Sequence, residues 1–190
     1  MIIQHFDDTL SIYCGGIDNL FRHHDYSRAI LESIHPYPMA KFWLHCHHLY
    51  VDNRKMSKSK GNVCYIDTLR KQGYKHAEIR FFLIYGHYRK RLNFSRENMA
   101  RAVESLKRLK TTIAAIQAQA DDGPHFDSIA AKETKMSFAD KMGSDLDVKG
   151  AIDNLQLFLS AMDVKHLKPR AASGVIHALR EIDQVLEVIF

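Results

Sequence analysis

The chain has 190 residues, 46% hydrophobic and 26% charged, with only 9 Gly and 4 Pro, a composition for a packed globular core rather than low-complexity linkers. Lys and Arg outnumber Asp and Glu by 27 to 22, a net charge of +5 that favours an anionic partner without naming it. No apolar run approaches the ~20 residues of a membrane span, and three Cys without a CxxC pair read as reduced thiols of a cytoplasmic protein.

The opening Met1-Ile2-Ile3-Gln4-His5 lacks the blocks of a signal peptide and reads as a chain entering mid-fold. Residues 9–14 predict a short strand ended by a Gly15-Gly16 turn. A helix is expected from Phe21 to Ile34, stopped by Pro36 and Pro38. Phe42 to Val51 reads as a buried strand region that turns through Asp52-Asn53 into a lysine-rich loop. Val63-Cys64-Tyr65-Ile66 is β-like, and a short helix from about Asp67 has Gly73 for its C-terminal cap.

The pattern then changes. Residues 77–91 predict an apolar-aromatic helix with a basic tail, Arg89-Lys90-Arg91. Ser95 caps a long amphipathic helix whose stripe is Met99, Val103, Leu106, Leu109, Ile113 and Ile116. Asp121-Asp122-Gly123-Pro124 ends it. Further helices are expected at 127–142, 147–164 and 172–189, the last with Ile176, Leu179, Ile182, Val185 and Ile189 on one side. The expected architecture is α/β followed by an antiparallel helical bundle.

Lys55-Met56-Ser57-Lys58-Ser59-Lys60-Gly61-Asn62 is the stretch that carries chemistry. Three lysines in six positions, set among hydroxyl residues and followed by Gly, suit a loop that closes on a polyphosphate. Lysine brings a compact charge, and hydroxyl and backbone N–H groups complete an anion site. Such charge is useful where a leaving pyrophosphate gathers negative charge. The bland alternative for a basic run is a solvated loop.

The Lys-Met-Ser-Lys-Ser string resembles a signature of class I aminoacyl-tRNA synthetases, and its neighbours resemble the cysteinyl-tRNA synthetase family. Gly15 to His24 is similar to that family's Gly-Gly-x-Asp-Leu-x-Phe-Pro-His-His segment. Lys41 to His45 is similar to its aromatic-Trp-Met-His segment. Tyr85-Gly86-His87-Tyr88-Arg89 and Leu92-Asn93-Phe94-Ser95 resemble its Ser-Gly-His-Tyr-Arg and Leu-Asn-Tyr-Ser runs. Phe138 to Asp147 resembles an element of its helical domain.

The resemblance implies the C-terminal part of a Rossmann-like class I nucleotide-binding fold followed by the bundle. It divides the chain into a partial catalytic domain at 1–75, a stem-contact region at 76–95 and an anticodon-side bundle at 96–190. Lys58 would be the principal ATP contact, assisted by Lys55, with Met56, Ser57 and Ser59 completing the ATP loop and Mg accompanying the nucleotide. Asp18, His23, Trp43 and His45 would line the substrate pocket, and Arg89, Lys90 and Arg91 would meet tRNA.

Departures from the family pattern set further expectations. Its His-Ile-Gly-His signature has no counterpart before Lys55, so the first half of the nucleotide-binding fold is expected to be absent, as is the small anticodon-reading domain. Of the family's zinc ligands only His23 has a counterpart; Ser27 stands at the Glu position, and no zinc site is expected in this chain alone. His45, Cys46, His47 and His48 read as pocket lining or core rather than ligands. Three readings stay open: part of a cysteine-activating enzyme, with a complementary catalytic half or a homodimer; a non-catalytic paralogue that binds tRNA or a protein; and a purely structural bundle.

Overall fold

The computed structural model describes residues 9–121 and 128–190. The reading of Met1 to His5, and of the turn from Asp122 to Pro124, lies outside them. Strand β1 (Leu10–Gly16) leads through a 3₁₀ turn (Ile17–Asn19) and a single π turn (Leu20–His24) into helix α1 (Asp25–Ile34), which returns to β2 (Ala40–Cys46). β1 and β2 pair in parallel, so the segment is a β–α–β crossover.

Two expectations change here. The glycine pair does not end β1 in a turn: Gly15 and Gly16 lie in the strand, opposite His45 and Cys46. Phe42 to Val51 is not one strand region either. It divides between β2 and a separate strand β3 (Leu49–Val51), which belongs to a second sheet.

β3 is the centre of that sheet. It pairs antiparallel with β4 (Arg54–Lys55) and parallel with β5 (Leu92–Phe94). Asp52 and Asn53 connect β3 to β4 with φ of 46° and 63°, the double left-handed geometry of a two-residue hairpin turn in which Asp and Asn are tolerated. The expected turn is therefore present, but β5 was not anticipated.

Helix α2 (Ile66–Lys71) begins where a β-like run was expected, because Cys64 and Tyr65 find no strand to pair with among the described residues. Its end matches expectation. Gly73, at φ 96°, donates to the Arg70 carbonyl while Tyr74 donates to that of Leu69, a Schellman closure. Helix α3 (His76–Ile84) is shorter than the expected 77–91; the Glu78 carboxylate accepts from the Lys75 N–H at its start. Arg89-Lys90-Arg91 consequently sits on a loop.

The remaining helices are α4 (Arg96–Gln117), α5 (Ile129–Met142), α6 (Val148–Ala161) and α7 (Pro169–Leu186). Ser95 Oγ accepts from the Asn98 N–H at 3.2 Å and Asp147 Oδ1 accepts from the Gly150 N–H at 3.0 Å, so both helices start on side-chain caps. The shared core comprises Phe81 and Phe82 of α3, Met99, Leu109 and Ile116 of α4, and apolar residues of α6 and α7. Two expected stripe residues differ: Val103 is only partly buried and Val185 is exposed, while Val188 and Ile189 are buried beyond the end of α7. Asp183 holds that tail by accepting from the N–H groups of Val188, Ile189 and Phe190.

A polar joint ties the 85–91 loop to the turn before α6. Asp145, at φ 55°, receives Arg89 Nε at 2.7 Å, Arg89 Nη2 at 3.1 Å and the Tyr88 hydroxyl at 2.6 Å. The Arg89 hydrogen bonds, then that of Tyr88, outweigh desolvation and hold the Asp145 carboxyl down to about 2. A depressed carboxylate stabilises the fold fully above its unfolded value of about 3.9, and this contribution is lost as pH falls through the folded value. Asp145→Asn is expected to lower the thermal midpoint by a few degrees at pH 7, with the gap to wild type narrowing between pH 4 and pH 2. A gap independent of pH in melting curves followed by circular dichroism would refute this account of the joint.

Candidate functional site

The C-terminal end of β1, the end of β2 and the β3–β4 hairpin converge on one place. Asp18, in the 3₁₀ turn after β1, puts Oδ2 3.4 Å from Lys55 Nζ and 3.2 Å from His48 Nε2; Lys55 Nζ and His48 Nε2 are 2.9 Å apart. Partial desolvation acts to raise the Asp18 carboxyl, but the charges of His48 and Lys55 and the Lys55 hydrogen bond outweigh it and hold it below the usual range. The base of the lysine loop is thus fastened to the glycine strand. His48 was grouped with the pocket lining, yet it stands beside the Lys55 amine.

Beyond Lys55 the loop is shaped by its own backbone. Ser57 N–H donates to Asn62 Oδ1 at 2.9 Å, and Asn62 Nδ2 donates to the Lys55 carbonyl at 3.2 Å. Lys58–Lys60 form a 3₁₀ turn closed by Gly61 at φ 64°. Nothing crowds a Cβ at Gly61, so its conformation rather than space calls for glycine. Met56 N–H donates to the Leu49 carbonyl, and Ser57 and Ser59 bring their hydroxyls within 3.3 Å of each other. Lys58 is exposed, and among the described residues it forms no ion pair. Asn62 closes the loop; its place in the motif was visible, but its role depends on folding back across seven residues.

Two of the other expected pocket residues, Trp43 and His45, belong to a second, adjoining group. Tyr13, Trp43 and His45 share one face of the β1–β2 sheet, and His24 lies across them. His24 Nδ1 and His45 Nε2 are 2.9 Å apart, and both rings are buried. Gly15 permits this approach, since a Cβ there would stand 2.2 Å from His24 Cε1. Leu20, Asp25 and Arg28 complete a small cavity of about 170 Å³ against these rings. Burial first, then the neighbouring His45 and His23, push the His24 pKa down.

His23 is exposed and does not line that cavity; its ring is tilted 48° to that of His24, with the centroids 5.7 Å apart. Ser27 Oγ donates to the His23 carbonyl at 2.8 Å, so its hydroxyl is engaged by the backbone. Among the described residues no three His, Cys, Asp or Glu side chains are arranged to hold a metal ion. The donor set around His23 does not fit zinc. In the basic loop, Arg89 is held by Asp145, the Arg91 guanidinium lies 5.1 Å from the Tyr50 ring centre, and Lys90 lines an apolar cavity of about 440 Å³ with Leu44, Cys46 and Leu83.

Residues 1–104 match the family described as tRNA synthetases class I (C) catalytic domain. The chain is 35% identical over 196 residues to the cysteine–tRNA ligase of Chlamydia muridarum (strain MoPn / Nigg), covering 95% of this chain and 41% of that protein. It is 34% identical over 206 residues to the enzyme of Chlamydia trachomatis serovar D, covering 100% and 43%. Against that of Protochlamydia amoebophila the identity is 30% over 196 residues, covering 100% and 41%. The chain therefore spans about two fifths of the length of these relatives. Among solved structures it superposes on the LeuRS of the Agrobacterium radiobacter K84 agnB2 LeuRS-tRNA-LeuAMS ternary complex with a TM-score of 0.69 at 18% identity, over 94% of this chain and 26% of that one. No helix among the described residues is long and apolar enough to cross a membrane.

The His24–His45 bond needs at least one neutral ring, and Trp43, the only Trp of the chain, reports on it. Because the folded pKa of His24 is depressed, its stabilisation is complete above the unfolded value of about 6.5 and is lost as pH falls through the folded one. Trp43 emission is expected to drop reversibly on acidification, at a pH below the ordinary imidazole range because the folded His24 pKa is lowered. The same titration of His24→Gln should be flat; an unchanged curve would mean that some other group is sensed.

Proposed function

The chain belongs to the family of class I (C) tRNA synthetase catalytic domains, and from that premise we propose that it supplies the ATP-loop side of a site that activates cysteine for transfer to tRNA. In this reaction the cysteine carboxylate attacks the α-phosphate of ATP, pyrophosphate leaves, and the cysteinyl group passes to the terminal adenosine of tRNA. The observation that carries the reading is the fastening of Lys55 to Asp18 beside the glycine strand, which brings the lysine loop and the end of the parallel sheet to one place. The crevice outside the carboxyl ends of parallel strands is where α/β folds take nucleotides.

In this reading Lys58 meets the polyphosphate, because it is exposed and committed to no carboxylate among the described residues. Ser57 and Ser59 offer hydroxyls, Met56 lies along the nucleotide, and Mg accompanies ATP. Lys55 is a second contact, released from Asp18 when phosphate arrives. Trp43 and His45 form the wall towards the amino acid, with His23 at its exposed rim. Selection of cysteine through zinc at His23 is not part of the proposal, since the local donors do not fit it. Lys90 and Arg91 make phosphate contacts with tRNA, and Arg89 chiefly holds their loop in place through Asp145. The resulting parts follow the 1–75, 76–95 and 96–190 division, and the protein works in the cytoplasm.

The uncovered surface of the sheet supports a partner. Ile12 and Phe42 are side by side on its face and are 53% and 65% exposed; Phe21, Tyr26, Ile30 and Ile34 add apolar surface on the crossover turn and helix. Among the described residues β1 is paired on one edge only. Open edges and apolar faces of this kind are normally covered. A complementary catalytic half, or a second copy, is proposed to sit there. The same surface also favours the alternative reading, a non-catalytic paralogue that binds tRNA or another protein.

Cysteine-dependent ATP–pyrophosphate exchange tests the enzymatic reading. The protein, alone or with its complementary half, is expected to exchange, and Lys58→Ala to lower the rate by about 100-fold, in the range of a lost transition-state contact. Exchange that is absent in both settings would leave the binding paralogue as the better account. Light scattering should give the purified chain a mass above that of a monomer. A strictly monomeric mass over a wide concentration range would count against coverage by a second copy.

A further inference from the structure

The contact between Asp18, His48 and Lys55 contains a chemical conflict. Two groups approach the same ring nitrogen: Lys55 Nζ lies 2.9 Å and Asp18 Oδ2 lies 3.2 Å from His48 Nε2. An ammonium only donates and a carboxylate only accepts, while Nε2 is at any moment either an acceptor or a donor. With its proton on Nδ1, the neutral ring accepts from Lys55. Once protonated, it donates to Asp18 and repels Lys55. The ring satisfies one neighbour or the other.

Resting on the nucleotide reading above, we propose that His48 is a positioning residue for the lysine loop. It holds Lys55 while the site is empty; on taking up a proton it pairs with Asp18 and leaves Lys55 to the incoming polyphosphate. Charge accounting supports the exchange. Lys55 plus and Asp18 minus cancel when the ring between them accepts from Lys55. When Lys55 turns to phosphate, Asp18 is left uncompensated beside His48, and one proton restores balance. The groups recorded against the ring are Asp18 from the 3₁₀ turn, Lys55 from β4, the adjoining His47 edge-on at 6.0 Å, and Gly16, where a Cβ would lie 3.6 Å from Cε1.

Calorimetry of ATP binding at pH 7.5, repeated in buffers of different ionisation enthalpy, reads the proton count. The wild-type protein is expected to take up protons on binding ATP, at most one per ATP, and its affinity to rise as pH falls, by up to about tenfold per unit. His48→Gln should still bind ATP but lose the uptake and the slope. An unchanged proton count in that variant would overturn the hand-over alone, whereas no binding of ATP to either protein, alone or with the complementary half, would overturn the nucleotide reading and the hand-over with it. A second measurement needs no nucleotide. The imidazole nitrogen shifts of His48 in the empty protein should move from the Nδ1–H towards the Nε2–H form in Lys55→Ala, because Asp18 is then the remaining partner. Identical shifts in the two proteins would refute the competition for Nε2.

Discussion

The arrangement of the site depends on a three-residue strand. β3 contributes one edge to the hairpin that launches the lysine loop and the other to β5, more than forty residues further along the chain. Leu49 and Leu92 pair in register and both pack against the helical core, so the loop inherits the rigidity of the bundle. Asn93 reinforces this connection: its side chain accepts from the Asn53 N–H in the hairpin turn, and its carbonyl accepts from Asn98 in the first turn of α4. A lysine-rich segment on an unanchored chain would lose much of its charge advantage to conformational entropy. Here the root of the loop is fixed, and the segment from Lys58 to Gly61 is closed by a single helical turn.

Two polar joints then relate the parts to one another. Asp18 and His48 hold the loop to the parallel sheet, while Asp145 holds the loop of Tyr88 and Arg89 to the helices. His47 N–H donates to the Tyr88 carbonyl at 2.7 Å, so the chain leaving β2 is fastened to the same loop. The joints differ in how easily they can change. Arg89 and Asp145 make a two-pronged pair of permanently charged groups over ordinary pH, suited to a fixed orientation. In the Asp18, His48 and Lys55 cluster the imidazole Nε2 has two competing neighbours, so that joint can exchange partners.

The helices were legible because apolar spacing of three and four residues persists across them. Met99, Leu106, Leu109, Ile113 and Ile116 are buried as the stripe requires, and Ser95 caps their helix. Asp52-Asn53 and Gly73 were also readable, since left-handed backbone selects residue types locally. What escaped was set by distant partners. β5 is too short to carry a period and exists because β3 lies beside it. Residues 85–91 have a composition compatible with helix, but Tyr88 and Arg89 are drawn instead to Asp145. At the site, the family resemblance singled out Lys55, Lys58, Asp18, Trp43 and His45; the roles of His48 and Asn62 depend on contacts across five or more residues.

The three loop lysines are not equivalent, although the sequence presents them as one basic run. Lys55 is paired with Asp18, whereas Lys58 and Lys60 face solvent from a turn that no carboxylate among the described residues neutralises. A polyanion approaching the end of the sheet would therefore meet the outer lysines first and displace Asp18 from Lys55 second. The order matters physically. The first contacts are made by solvated, screened charges and add attraction at small cost. The last requires an existing ion pair to be exchanged for a better one, so it forms only when phosphate is correctly seated. In the proposed reading, an internal carboxylate beside the inner lysine would turn a basic loop from a general anion attractor into one that discriminates by position.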